Sequence, residues 1–206
     1  MASLVLGIAG KKRHGKDTFA SRLVDVHGFT RVAFADPLRE GLYRLDPLVR
    51  VEADEVGPLV AAGFPNGNAT LLPELPVRLT MLVKLVGWDA AKELREVRRL
   101  LQDYGVGIRE TVDPEAWIRA AFKKVDAVDG PVVITDVRFP NEVAAVRRAR
   151  GLLAYVENPR IPDSGDTHVS EVSVTAADAD RFVRNNGTLE QLFEKADVLA
   201  RDLLGY

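Results

Sequence analysis

The 206-residue chain contains no cysteine. That excludes disulfide cross-links, thiolate nucleophiles and cysteine-based zinc sites. Histidine is scarce as well: His14, His27 and His168 stand far apart, against a histidine-rich metal site. No excess of one charge is present, because 28 Lys and Arg face 30 Asp and Glu for a net charge of -2. A general nucleic-acid binder would carry a strongly basic footprint, so no stable nucleic-acid partner is expected. No apolar run approaches the roughly 18 residues of a membrane span. The N-terminus sets a short apolar run before its cations, the reverse of a secretion signal. The expectation is a soluble protein of the cytoplasm with no membrane partner.

What is present suits a packed core: 47% apolar and 28% charged residues. Eight of the cations are Lys and twenty are Arg. Guanidinium is the better bidentate phosphate ligand, so the recurring arginines need a destination.

A short apolar run at 4–9 reads as a buried strand. The pattern predicts a helix over 16–27, with Phe19, Ala20, Leu23, Val24 and Val26 at helical spacing and Gly28 as its stop. A strand at 30–34 leads to Asp36-Pro37, read as an N-cap and first helical residue of a helix to 43. Helical patterns follow at 79–86 and 90–104, broken at Gly87, and from Asp113-Pro114 to 128. PVVITDV at 131–137 is the strongest strand signal. A helix at 141–150 closed by Gly151, a strand at 152–156 and an edge-like strand at 181–184 come next. Asn185-Asn186-Gly187 reads as a turn, with Thr188 capping a helix to 204. Strands alternating with helices predict an α/β fold with a parallel sheet. The stretch 46–78 differs, with five prolines and three glycines in 33 residues. That density breaks regular elements and marks a loop-rich insertion or small subdomain.

Residues 10–16 read G-K-K-R-H-G-K and fit G-x-x-x-x-G-K between a predicted strand and a predicted helix, the context such a phosphate loop requires. Two glycines let backbone N–H groups and the helix N-terminus wrap a polyphosphate. Lys16 adds a charge near the β- and γ-phosphates. The candidate ATP-phosphate ligands are Gly10, Lys12, Arg13, His14, Gly15, Lys16, Asp17 and Thr18. The usual hydroxyl residue after the lysine is replaced by Asp17, so Thr18 is the candidate hydroxyl for a metal. The competing reading is a plain glycine turn beside a basic helix start.

Further segments line up in order: FADPLRE (34–40), VRRLLQDYG (97–105), DPEAWIRAAF (113–122), VVITDVRFPNE (132–142), DTHVSE (166–171) and NNGTLEQLF (185–193). With GIAGKKRHGKDTFA (7–20), the chain resembles the deoxynucleoside monophosphate kinases of tailed bacteriophages. The resemblance spans nearly the whole chain except 46–78. It implies transfer of a phosphoryl group from ATP to a deoxynucleoside monophosphate, with Mg²⁺. It also implies one three-layer P-loop kinase domain over 1–206. In it a central parallel sheet is flanked by helices, with mobile acceptor-binding and lid segments. For a phage-encoded chain the compartment is the host cytoplasm. The oligomeric state stays open, a homodimer included.

The resemblance favours Arg98 as a ligand of the acceptor phosphate, against a solvated cationic helix face. Gln102, one turn on, either reads a base edge or is a surface residue. Arg39 is an acceptor candidate, while Asp36 is better read as a helix cap. Asp136 and Arg138 follow the strongest strand: Asp136 is a candidate to hold Mg²⁺ through water and Arg138 to clamp the transferring group. Their competitor is a charge arrangement for the next helix, which Asn141 and Glu142 start. Asn185, Asn186 and Gly187 lie on the adenine side by analogy, or form a plain turn before the Thr188 cap. His168 and Glu171 match the family without a derivable role. Trp117 packs on a base or, at helical spacing with Phe122, in the core.

Two alternatives stay beside this reading. A kinase of another phosphorylated metabolite is one, because animal-type phosphomevalonate kinases share the GKD loop and the DxR strand end. A non-kinase P-loop ATPase is the other; against it, Val137 rather than a second acid follows Asp136.

Overall fold

The structure is a computed structural model and describes residues 4–65, 76–162 and 173–206. His168 and Glu171 lie outside the described residues. In chain order the elements are β1 (Val5–Ala9), α1 (Lys16–His27), β2 (Thr30–Val32), α2 (Ala35–Leu45), β3 (Leu48–Val49), α3 (Val56–Ala61), β4 (Val77–Arg78), α4 (Leu79–Ala91), α5 (Arg95–Thr111), α6 (Ala116–Val125), β5 (Val132–Ile134), α7 (Pro140–Arg148), β6 (Leu152–Glu157), β7 (Arg181–Arg184) and α8 (Leu189–Leu204). No helix among the described residues is long and apolar enough to cross a membrane. The chain divides into two compact units, Met1–Ala35 with Ile118–Tyr206, and Asp36–Trp117.

The first unit is an α/β layer structure. Its described strands form one parallel sheet in the order β2-β5-β1-β6-β7. β1 sits at its centre and alternates its side chains between two apolar cores. Val5 and Ala9 face Ile118, Val125 and Val146 of α6 and α7. Leu6 and Ile8 face Phe19 and Leu23 of α1 and Leu192 and Leu199 of α8. Strands covered on both faces read as continuous apolar runs, which is why 4–9 and 131–137 stood out. Val26 departs from the helical pattern expected of it and lies exposed.

Polar contacts tie α1 to α8. Arg22 donates from Nε and Nη2 to the two Asp197 oxygens at 2.7 and 2.9 Å, and its guanidinium lies 5.3 Å over the Phe193 ring. His27 Nε2 meets Asp197 at 2.9 Å and His27 Nδ1 meets the Tyr206 hydroxyl at 3.0 Å. The Arg22 hydrogen bond first, and His27 after it, hold the Asp197 carboxyl well below the usual carboxylate range. β7 is an edge strand with Phe182 half-exposed, stacked on Tyr155 between Arg181 and Arg184.

Two local expectations change. Gly151 does not supply the left-handed residue after α7; Arg150 does, at φ 59°. Gly151 is required by crowding instead, because a Cβ there would stand 2.6 Å from the Val5 carbonyl. The helix expected to open on Asp36 begins at Ala35.

The second unit is broader than the stretch 46–78, and that stretch carries elements. β3 and β4 pair antiparallel, Leu48 opposite Arg78 and Val49 opposite Val77. Pro58 sits in the first turn of α3, where a missing N–H costs nothing. Pro47 and Pro76 precede the two strands. Val49, Val51 and Leu59 share one core with Leu42 before the stretch and Leu79, Leu82, Leu94 and Val97 beyond it. That shared burial draws the unit's border outward. Gly87, at φ 76° and ψ 165°, breaks the helical path of α4 as its position in the pattern predicts. Trp117 packs edge-on against Tyr104 at 5.5 Å and donates to the Gly105 carbonyl at 3.1 Å, so its ring is occupied within the unit.

Candidate active site

The phosphate loop leaves the carboxyl end of β1 and enters α1. Its shape rests on three residues with positive φ: Gly10 at 145°, Arg13 at 68° and Gly15 at 94°. A Cβ at Gly10 would stand 2.3 Å from the Val156 carbonyl, so β6 presses on the loop where only hydrogen fits. Lys16 opens α1 and is 8% exposed; its Nζ lies 3.9 Å from Asp17 Oδ2. Asp17 points its carboxylate into solvent, and Thr18 is half-buried. Lys12 and Arg13 are exposed. His14 is buried: its Nδ1 accepts the Asn158 N–H at 3.1 Å, and its carbonyl accepts from Asn185 Nδ2 at 3.1 Å.

In the same unit, Asp136 stands just past β5. Its two oxygens accept the backbone N–H groups of Phe34 and Ala35 at 2.8 and 2.9 Å. It thus serves the chain entering α2, the duty expected of Asp36. The backbone N–H groups of Arg138 and Phe139 donate to Glu142 Oε2 at 2.7 and 3.0 Å. Glu142 is a buried capping carboxylate of α7. Asn185 sits at the end of β7. A Cβ at Gly187 would overlap the Gln191 side chain, which accepts the Thr188 N–H at 3.0 Å while Thr188 Oγ1 accepts the Gln191 N–H. Gly187 therefore serves the cap of α8; Asn186 is exposed beside it.

The acceptor candidates Arg39, Arg98 and Gln102 belong to the second unit. Arg39 lies 4.0 Å from Asp36. Arg98 donates to Glu93 at 2.8 Å and is half-exposed; Gln102 is exposed one turn on. A cleft of about 430 Å³ in this unit is lined by Arg50, Glu52, Arg95, Glu96 and Arg99. Arg95 forms a fork with Asp54 at 3.0 and 2.6 Å, and Arg99 one with Glu96 at 3.0 and 2.8 Å. Arg50 is not singled out by the sequence; Arg95 and Arg99, one turn apart, read there with Arg98 as a cationic helix face. Asn158 gave none, because it acts through its backbone.

Residues 81–196, more than half of the chain, match the family model described as deoxynucleotide monophosphate kinase. The chain belongs to this family. A mimivirus protein (Acanthamoeba polyphaga mimivirus) bearing the name "Putative deoxynucleotide monophosphate kinase" is 29% identical over 93% of each chain. The deoxynucleotide monophosphate kinase of Enterobacteria phage T4 is 31% identical over 48% of this chain and 43% of its own. Among solved structures, a dephospho-CoA kinase from Campylobacter jejuni is similar at a TM-score of 0.49 and 13% identity, over 98% of both chains. The match to the kinase family begins beyond the phosphate loop, so the loop's geometry and the family stand as separate observations. Together they make this a P-loop kinase related to deoxynucleotide monophosphate kinases, with viral and phage homologues.

Proposed function

We propose that the chain transfers the γ-phosphoryl group of ATP to a deoxynucleoside 5′-monophosphate, yielding ADP and the diphosphate for DNA synthesis. The observation that carries this reading is the glycine-walled loop ahead of the buried Lys16, in a chain of this kinase family. Residues 10–18 take the donor phosphates, with Lys16 on the β- and γ-oxygens. Arg138 neutralises the transferring group. Arg39 and Arg98 hold the acceptor phosphate and Gln102 its base; Asn186 and Gly187 border adenine. In such reactions positioning and charge stabilisation supply the catalysis.

The donor set fits Mg²⁺. Asp136 is a carboxylate just past the carboxyl end of a parallel strand, with both oxygens held by backbone N–H groups, and hard oxygen donors of this kind suit Mg²⁺. Among the described residues no group of three or more His, Asp or Glu could cage a metal. Mg²⁺ keeps several waters and leans on substrate phosphates. Asp136 through water and the Thr18 hydroxyl are its proposed anchors; the bound ion would supply charge neutralisation at the phosphates.

A panel of deoxynucleoside and ribonucleoside monophosphates with Mg-ATP tests the reading, with phosphomevalonate in parallel. At least one deoxynucleotide is expected to be converted to its diphosphate. Folded protein that turns over none of them rejects the proposal.

A further inference from the structure

Two tethers reach the phosphate loop from outside it. The Asn185 carboxamide donates to the His14 carbonyl, and the His14 ring accepts the Asn158 backbone N–H, each at 3.1 Å. The donors stand just beyond the carboxyl ends of β7 and β6. The bond to Asn185 has a consequence for the next peptide. Across a trans peptide the C=O of one residue and the N–H of the next point in opposite directions, and no peptide bond among the described residues is cis. Drawing the His14 carbonyl toward Asn185 therefore turns the Gly15 N–H to the opposite side. A Cβ on Gly15 would stand 2.5 Å from Asn185 Nδ2, so the carboxamide sits flush against that residue. His14, only 6% exposed, must leave Nδ1 unprotonated to accept an N–H, which fixes its tautomer.

We propose that Asn185 and His14 are positioning residues: their side chains set the peptide orientation of the phosphate loop and do not touch the nucleotide. The inference rests on the loop being a triphosphate site. It gives Asn185 a task unrelated to adenine, and it gives the His14 ring one unrelated to phosphate.

A direct adenine contact and a loop tether separate when the base is removed. Binding of Mg-ATP, Mg-GTP and inorganic tripolyphosphate to the full chain is measured by calorimetry. The variants are Asn185→Ala, which removes the donor, and Asn185→Asp, which sets an anion against the His14 carbonyl. His14→Phe removes the ring acceptor, and His14→Asn keeps an oxygen near the place of Nδ1. Thermal melts check that each folds. Asn185→Ala, Asn185→Asp and His14→Phe are expected to weaken all three ligands alike by about tenfold, the worth of one lost hydrogen bond. His14→Asn should recover most of that loss. In turnover, KM for ATP rises while KM for the acceptor holds. Loss confined to ATP, with tripolyphosphate unchanged, makes Asn185 a base ligand and overturns the inference. So do variants that bind all three ligands like the parent. A parent chain that binds neither ATP nor tripolyphosphate rejects the phosphate-loop reading itself, and the inference with it.

Discussion

The two compact units carry their positive charge in opposite ways. In the first, the candidate site is mostly backbone: N–H groups of a loop whose shape depends on Gly10 and Gly15, with one buried ammonium at Lys16. In the second, it is exposed guanidinium groups, each paired with a carboxylate of its own unit: Arg98 with Glu93, Arg95 with Asp54, Arg99 with Glu96 and Asp103. The loop's shape is set by glycine geometry and by β6 pressing on Gly10. The arginines would have to exchange one anion for another. Exposed ion pairs contribute only about 0–1 kcal/mol, so a dianionic phosphate displaces such a partner at little cost. Under the proposed function, a backbone cradle takes the donor phosphates and exchangeable side chains take the acceptor phosphate.

The contrast can be broken from either side. The largest effect is expected at Lys16, where Lys16→Met should lower kcat by about 10²–10³-fold with the melting temperature held; retained turnover would remove the lysine from the chemistry. Gly10→Ala should cost about 1–3 kcal/mol of stability through overpacking and abolish nucleotide binding, read by denaturant unfolding and calorimetry. Its counterpart Gly57→Ala, in α3 with open space around it, should be neutral or stabilising. Arg98→Ala should raise the acceptor KM about tenfold or more, the worth of a charge-assisted hydrogen bond, leaving KM for ATP unchanged. Glu93→Gln frees Arg98 and should lower the acceptor KM by no more than about fivefold, the ceiling for an exposed pair. An unchanged KM in both variants would take Arg98 out of the acceptor site.

The smallest effect concerns pH. The Asp197 carboxyl is depressed in the folded chain, chiefly by Arg22. Its stabilisation is complete well above the ordinary carboxylate pKa of about 3.9 and is lost as the pH falls through and below it. Asp197→Asn should flatten the acid side of the stability profile, whereas Asp54→Asn, on an exposed pair, should leave it nearly unchanged.

What could be read from the sequence follows from what side chains announce. β1 alternates Val5, Leu6, Ile8 and Ala9 between two cores, and its buried period shows as an apolar run. The spacing of Gly10, Gly15 and Lys16 and the Thr188 cap are written in residue types. The tether from Asn158 is not, because a backbone N–H looks the same on every residue. Asp136 reads as a metal-holding strand end, yet its oxygens already serve two amides 102 and 101 residues upstream, a pairing that only the folded chain brings about. The second compact unit extends beyond 46–78 because proline density reports only local breakage, while Leu42 and Val97 join the same core from outside that stretch.

β7 leaves the sheet with one side of its backbone facing no further strand among those described. An open, half-apolar edge is a template on which another chain can add itself, the first step of aggregation. Here the strand is four residues long and carries a guanidinium at each end, Arg181 and Arg184. A second copy laid against it would bring cations toward cations. Exchanging both arginines for threonine would keep the strand and remove the repulsion, and the protein should then lose solubility on concentration while its fold stays intact. Arg181 and Arg184 are in this sense guards of the sheet's open edge.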